Sequence, residues 1–146
     1  MKFLVINGPN LNLLGRREPD IYGKRDYAAL CAHVQAAAAA EGIEIDIMQT
    51  NHEGVIIDAI QDAIGKYDGI VINPAAYTHT SIAIADAIAA VGIPTAEVHL
   101  SDVDTREDFR RISFVTPVCA LRVKGLGFDS YSKAISDLAT NIRAKS

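Results

Sequence analysis

Three stretches of this sequence concentrate side chains that can move protons or hold an oxygen-rich anion. The first is Asn7-Gly8-Pro9-Asn10 with its continuation through Arg17 and Tyr22; the second is Asn73-Pro74-Ala75-Ala76-Tyr77-Thr78-His79-Thr80-Ser81; the third is Glu97-Val98-His99-Leu100-Ser101. Imidazole titrates near neutrality, so His79 or His99 can exchange a proton at working pH, and Glu97 stands two residues before His99, placed to orient its ring. Arg17 and Arg110 carry planar, multidonor cations suited to a carboxylate. Each residue taken singly has a plainer role: Asn10 and Asn73 as turn or cap residues, His79 and His99 in structural hydrogen bonds, the arginines as surface charge, Tyr22 packing on a rim. A satisfied core does not require so many polar groups together, so their convergence at one edge would mark a site.

The elements around these stretches place them at one edge. Short β-branched runs alternate with longer helical patterns, the mark of βαβ units around a parallel sheet. Five strands are expected, at Lys2 to Ile6, Glu44 to Gln49, Gly69 to Asn73, Thr95 to His99 and about Ala120 to Lys124. Between them Tyr27, Leu30, Val34 and Ala38 share a helical face, as do Ile56, Ile60, Ala63 and Tyr67, then Ile82, Ala85 and Ile88, and finally Tyr131, Ile135, Leu138 and Ile142. Asn51 and Ser81 are expected N-caps, and Gly42 should stop the alanine-rich helix before it. The arrangement predicts an α/β, flavodoxin-like doubly wound sheet of order 2-1-3-4-5, whose ligands bind beyond the carboxyl ends of the strands where the order reverses. The three chemical stretches follow strands 1, 3 and 4. The first is far longer than the roughly 2 to 6 residues of an ordinary βα loop, so about 11–24 is expected to act as a lid.

With 146 residues, 49% hydrophobic and 22% charged, the chain has the composition of a single globular domain, and 1–146 is taken as one catalytic unit. A net charge of −4 and pI near 5.5 argue against a nucleic-acid partner. No stretch approaches the roughly 20 apolar residues of a membrane span, and the apolar run at the N-terminus is too short for a signal peptide, so a cytoplasmic location is expected. Cys31 and Cys119 lack metal-type spacing and are expected to be reduced. His33 and His52 are assigned to the surface or to loops.

The segments Gly8-Pro9-Asn10-Leu11-Asn12-Leu13-Leu14-Gly15, Arg17-Glu18-Pro19, Tyr22-Gly23, Asn73-Pro74, Tyr77-Thr78-His79-Thr80-Ser81 and Glu97-Val98-His99-Leu100-Ser101 resemble type II 3-dehydroquinate dehydratases, with Arg106-Glu107 and Phe109-Arg110 also in place. The resemblance runs from Lys2 to about Gly127. It implies a lyase of the shikimate pathway and aromatic amino acid biosynthesis, or of quinate breakdown, that removes water from 3-dehydroquinate by anti elimination through an enolate. No metal, imine or organic cofactor is needed. It makes Tyr22 the base, Arg17 the group that lowers its pKa, Asn10 the holder of a water at the enolate oxygen, and His99 the acid oriented by Glu97. Leu100 and Ser101 would bind the substrate carboxylate through their amides, Asn73, His79 and Arg110 would hold hydroxyls and carboxylate, and Asp86 would reach a neighbouring subunit's site. The resemblance further implies trimers assembled into a dodecamer.

The tyrosine role makes an energetic demand. Bringing a phenol from a pKa near 10 to neutrality takes roughly 3 units, about 4 kcal/mol. One Arg at about 4 Å supplies about 1 kcal/mol in bulk water and about 4 at an effective dielectric of 20, so Arg17 suffices only when a closed lid excludes water.

Three positions depart from the family pattern. Ala75 replaces the usual Gly, at a cost of about 1 kcal/mol if that position needs positive φ. Asp102, usually Asn, would add negative charge near an anion site, and Arg111 stands where many relatives have His. Rival readings are a flavodoxin-like binding module or phosphate receiver, disfavoured because Asn7 and Asn73 stand where acidic residues would be needed, and an FMN carrier, disfavoured because the first loop lacks a Ser/Thr-rich phosphate cradle. A metal-dependent enzyme using His79, Glu97, His99, Asp102 or Asp104 and an imine route through Lys124 complete the alternatives.

Overall fold

The β-branched runs form five strands: β1 (Lys2–Asn7), β2 (Glu44–Gln49), β3 (Gly69–Asn73), β4 (Thr95–His99) and β5 (Leu121–Lys124), in a computed structural model that describes residues 1–16 and 25–146. All neighbours are parallel and the order is β2-β1-β3-β4-β5, the doubly wound arrangement expected. Among the described residues four α-helices alternate with them: α1 (Tyr27–Ala40), α2 (Glu53–Asp62), α3 (Ile82–Val91) and α4 (Asp129–Ala144).

Strand alternation sorts the core into two layers. Phe3, Val5, Val71, Ala96 and Val98 face Leu30 and Val34 of α1 and Tyr131, Ile135 and Leu138 of α4. Leu4, Ile6, Ile70 and Ile72 face Ile56 and Ile60 of α2 and Ile84 and Ile88 of α3. With both sides covered, β1 and β3 are buried along nearly their whole length, which holds their carboxyl ends in fixed register, Ile6 against Ile72 and Asn7 against Asn73.

Local signals fared unequally. Asp26 Oδ1 accepts from Ala29 N at 2.9 Å to start α1, and Ser81 Oγ accepts from Ile84 N at 3.0 Å to start α3 as expected. Asn51 does not cap α2. Its Oδ1 accepts instead from Asn10 N (3.0 Å) and Gln49 Nε2 (3.1 Å), and the N-cap position belongs to His52, without a side-chain cap bond. Ile82 is 57% exposed rather than in the core, because α3 is apolar at almost every position and periodicity alone could not choose its buried face, which is Ile84, Ala85, Ala87 and Ile88. His33 lies on α1 and is partly exposed, with Nε2 2.5 Å from Ser132 Oγ of α4. His52 is exposed, and both cysteines are free thiols.

Of the expected lid, Leu11–Leu13 forms one 3-10 turn. Arg17 and Tyr22 lie outside the described residues. Among the described residues no helix is long and apolar enough to cross a membrane.

Candidate active site

The carboxyl ends of β1, β3 and β4 open on a cavity of about 270 Å³ lined by Asn10, Asn73, His79, His99, Ser101 and Arg110, with Leu100 also on its wall. It shares Pro9, Asn10, Leu11, Leu100, Ser101 and Arg106 with a larger cleft of about 930 Å³ that extends toward Arg16, Arg25 and Phe128. Seven residues chosen from sequence therefore meet at the switch point, as the topology requires of a ligand site. Asp86 does not join them within this chain; it is exposed on α3, on the same face as Ile82.

Behind His99 sits a carboxylate with no access to water. Glu97 is 0% exposed and its Oε2 accepts from His99 Nε2 at 2.5 Å, so the opposite ring nitrogen, Nδ1, remains for chemistry. Burial by itself would raise the Glu97 pKa, yet the carboxyl is held below its ordinary value: hydrogen bonds from His99 and Thr116, the His99 charge and a bond from Thr78 outweigh desolvation. Thr78 Oγ1 donates to Oε2 at 2.9 Å, Ser113 Oγ reaches Oε2 at 3.3 Å, and Thr116 Oγ1 donates to Oε1. An ionised carboxylate, which can only accept, fits this ring of donors. Nearby, burial first and the Glu97 charge second push the Cys119 thiol up to about 12, so it is no nucleophile.

The segment carrying Ser113 and Thr116 also positions His79. His79 Nδ1 donates to Ile112 O at 2.7 Å, and Phe114 N donates to Thr78 O at 2.9 Å. Arg110 is held by Glu107, Nε to Oε2 2.7 Å, with its guanidinium 5.0 Å from the Phe109 ring centroid.

Beneath the cavity floor, Asn7 and Asn73 extend into a buried network. Tyr131 Oη donates to Asn7 Oδ1 (2.6 Å) and accepts from Asn73 Nδ2 (2.9 Å), while Asn7 Nδ2 reaches Tyr27 Oη at 3.4 Å. Burial raises the Tyr131 pKa and takes that of Tyr27 to about 12, so both phenols stay neutral donors and acceptors. Asn73 Oδ1 accepts from Ala75 N at 3.0 Å, folding the chain into a tight turn in which Ala75 takes φ 52. The position therefore does demand the left-handed region that glycine occupies without strain. Gly8 is required for another reason: a Cβ there would lie 2.7 Å from Pro74 O, across the gap that closes β1 onto the β3 loop.

Asp102, the acidic residue in place of the usual Asn, is held away from both cavities. Its carboxylate accepts from Asp104 N at 3.1 Å and pairs with Lys124 Nζ at 3.0 Å, and it lines neither cavity. Lys124 also donates to Asp104, and these bonds raise its pKa, which keeps the amine protonated and unsuited to imine formation. Arg111 is exposed and lies 3.5 Å from Asp108. Among the described residues no three His, Cys, Asp or Glu side chains converge as a metal-ligand set.

Sequence reasoning did not pick out Thr78, Ser113, Thr116 or Arg106 as site residues, and it took Tyr131 for a core residue alone. Ser113 and Thr116 sit in a connection without periodicity, and nothing local marks their hydroxyls as turned inward.

A buried carboxylate–imidazole couple facing arginine and asparagine donors, at the switch point of a doubly wound sheet, defines an acid–base enzyme of the α/β class. The chain belongs to the class II dehydroquinase family: the family model described as "Dehydroquinase class II" matches residues 1–139. It is 52% identical over 138 residues to a 3-dehydroquinate dehydratase of Clostridium acetobutylicum, covering 94% of this chain and 96% of that one. A 3-dehydroquinate dehydratase of Geotalea daltonii is 50% identical over 143 residues, covering 98% and 99%. The solved type II dehydroquinase of Butyrivibrio crossotus superimposes with a TM-score of 0.90 at 51% identity, over 95% of this chain and 97% of that one.

Proposed function

We propose that this protein is a hydro-lyase that converts 3-dehydroquinate to 3-dehydroshikimate by anti elimination of water through an enolate. The observation that carries the reading is the Glu97–His99 couple, closed to solvent behind and opening on a cavity lined by Asn73, His79 and Arg110. Tyr22, activated by Arg17 under a closed lid, removes the proton next to the ketone. Asn10 holds a water against the enolate oxygen, where preorganised donors count most. The His99 imidazolium, stabilised by ionised Glu97, gives its proton to the departing hydroxyl, which leaves as water. Phenol and imidazole then exchange protons with solvent to reset the site. The substrate carboxylate lies against the Leu100 and Ser101 amides with Arg110, and Asn73 and His79 hold the ring hydroxyls.

The active form is an oligomer in the cytoplasm, a dodecamer of trimers in which Asp86 faces a neighbour's site. Asp86 and the exposed Ile82 share one face of α3, the face placed here against a neighbouring subunit. Sedimentation of wild type against Ile82→Asp tests the assembly: a mass unaffected by the substitution removes α3 from the contact. The reaction is tested by the ultraviolet absorbance of the enone carboxylate formed from 3-dehydroquinate. No absorbance change with freshly purified protein overturns the proposed function. Retention of activity with chelator and resistance to borohydride in the presence of substrate are expected, and loss under either would favour the metal or imine route.

A further inference from the structure

We infer that Tyr131, on α4, is a positioning residue for the reaction, one that locks the Asn73 carboxamide so that it offers a donor rather than an acceptor to the ligand cavity. The inference rests on the reading that substrate oxygens occupy the cavity of about 270 Å³. Tyr131 is 0% exposed, and its hydroxyl uses both of its roles: its one proton goes to Asn7 Oδ1 and it accepts from Asn73 Nδ2. On its other side the Asn73 carboxamide is pinned by Ala75 N, which needs an acceptor and finds Oδ1 at 3.0 Å. Flipping the carboxamide would set its NH2 against the Ala75 N–H, and would set its oxygen against a phenol whose only proton is committed to Asn7. Both contacts would fail in buried surroundings, so the orientation is determined twice. The second hydrogen of Nδ2 has no partner among the described residues, and Asn73 lines the cavity. The site thus asks its ligand for an oxygen that can accept at this point, as a substrate hydroxyl can.

Asn7, at the end of β1, closes the network to Tyr27 of α1, so the floor of the cavity is tied to both helices that cover one face of the sheet. A phenylalanine at 131 keeps the ring and removes only the oxygen.

The test is a double-substitution cycle on the full-length protein with 3-dehydroquinate, measuring kcat, KM and thermal midpoint for wild type, Tyr131→Phe, Asn73→Ala and the pair. In wild type background Tyr131→Phe is expected to raise KM by about tenfold, with kcat changed less than about threefold. With Asn73 already alanine, Tyr131→Phe should leave both constants unchanged while still lowering the thermal midpoint, a separation that a purely structural role would not give. An unaltered KM in Tyr131→Phe, or an equal KM penalty in both backgrounds, overturns the inference. A measurement that needs no variant stands beside it: in proton–nitrogen spectra of wild type, one Asn73 carboxamide hydrogen should be protected from solvent exchange without ligand, and the other should gain protection in the equilibrated substrate–product mixture. Free exchange of both hydrogens with the mixture bound defeats the inference even if Tyr131→Phe does not fold. Inactive wild type would instead defeat the proposed function, and the protection pattern in unliganded protein would still judge the Tyr131 clamp.

Discussion

Two charged clusters sit at the ends of adjacent strands, and they are built on opposite principles. At the end of β4, Glu97 and His99 have side chains 0% and 5% exposed and share a short bond inside a ring of hydroxyls. At the end of β5, Lys124 meets Asp102 and Asp104 with side chains 25%, 44% and 38% exposed. Water screens the second cluster, so its ion pairs add little and its lysine is simply kept protonated. The first has no solvent to fall back on. Every lone pair of Glu97 must be met by protein, and removing one partner leaves a buried polar group unpaired. Two carboxylate clusters one strand apart are thus held in different ways, one by a closed ring of protein donors and the other by partly exposed ion pairs.

Substitutions can break this contrast in graded steps. His99→Ala should cost about 10² to 10⁴ in kcat with substrate binding retained, as read by turnover and by calorimetric titration. Tyr22→Phe should be comparably damaging, and full activity in that variant would eliminate the proposed base. Thr116→Val removes one donor from the Glu97 ring at nearly constant volume and should destabilise the fold by about 1–3 kcal/mol by chemical denaturation, with turnover falling as well. Ala75→Gly relieves the φ 52 backbone and should stabilise by about 1 kcal/mol, unless the methyl group is needed against the ligand, which KM would reveal. Asp104→Asn, in the exposed cluster, should change stability by less than about 1 kcal/mol and less still in high salt.

Acid sharpens the same comparison. The folded-state pKa of Glu97 lies below its ordinary value of 4.5, so ionised Glu97 stabilises the fold fully above that pH, and the contribution is lost as pH falls from there through the folded value. Denaturation series should therefore show wild type losing stability against Glu97→Gln only below about pH 4.5. Parallel curves down to pH 3 would mean that burial of Glu97 is not stabilised as described.

Much of this was legible in the chain itself. The strands at 44–49, 69–73 and 95–99 fall where β-branched runs were bounded by turn residues; βαβ alternation implied a parallel sheet, and its order, expected from the statistics of such folds, is the one observed. The convergence of Asn10, Asn73, His79, His99 and Arg110 was legible because residues that follow strands in a doubly wound sheet must share one edge. Less legible were contacts that depend on a side chain's direction. Asn51 looked like a cap and became a tie between two loops, and Ile82 looked like core and faces outward.

The sequence by itself determined periods, breaks and the order of elements, because these depend on neighbours a few residues apart. Only the tertiary structure decided which hydroxyls surround Glu97 and that Tyr131 meets Asn7 across 124 residues of chain. Hydrogen bonds act over about 3 Å and only in narrow directions, so no pattern along the chain can specify them until packing has fixed where each helix lies on the sheet.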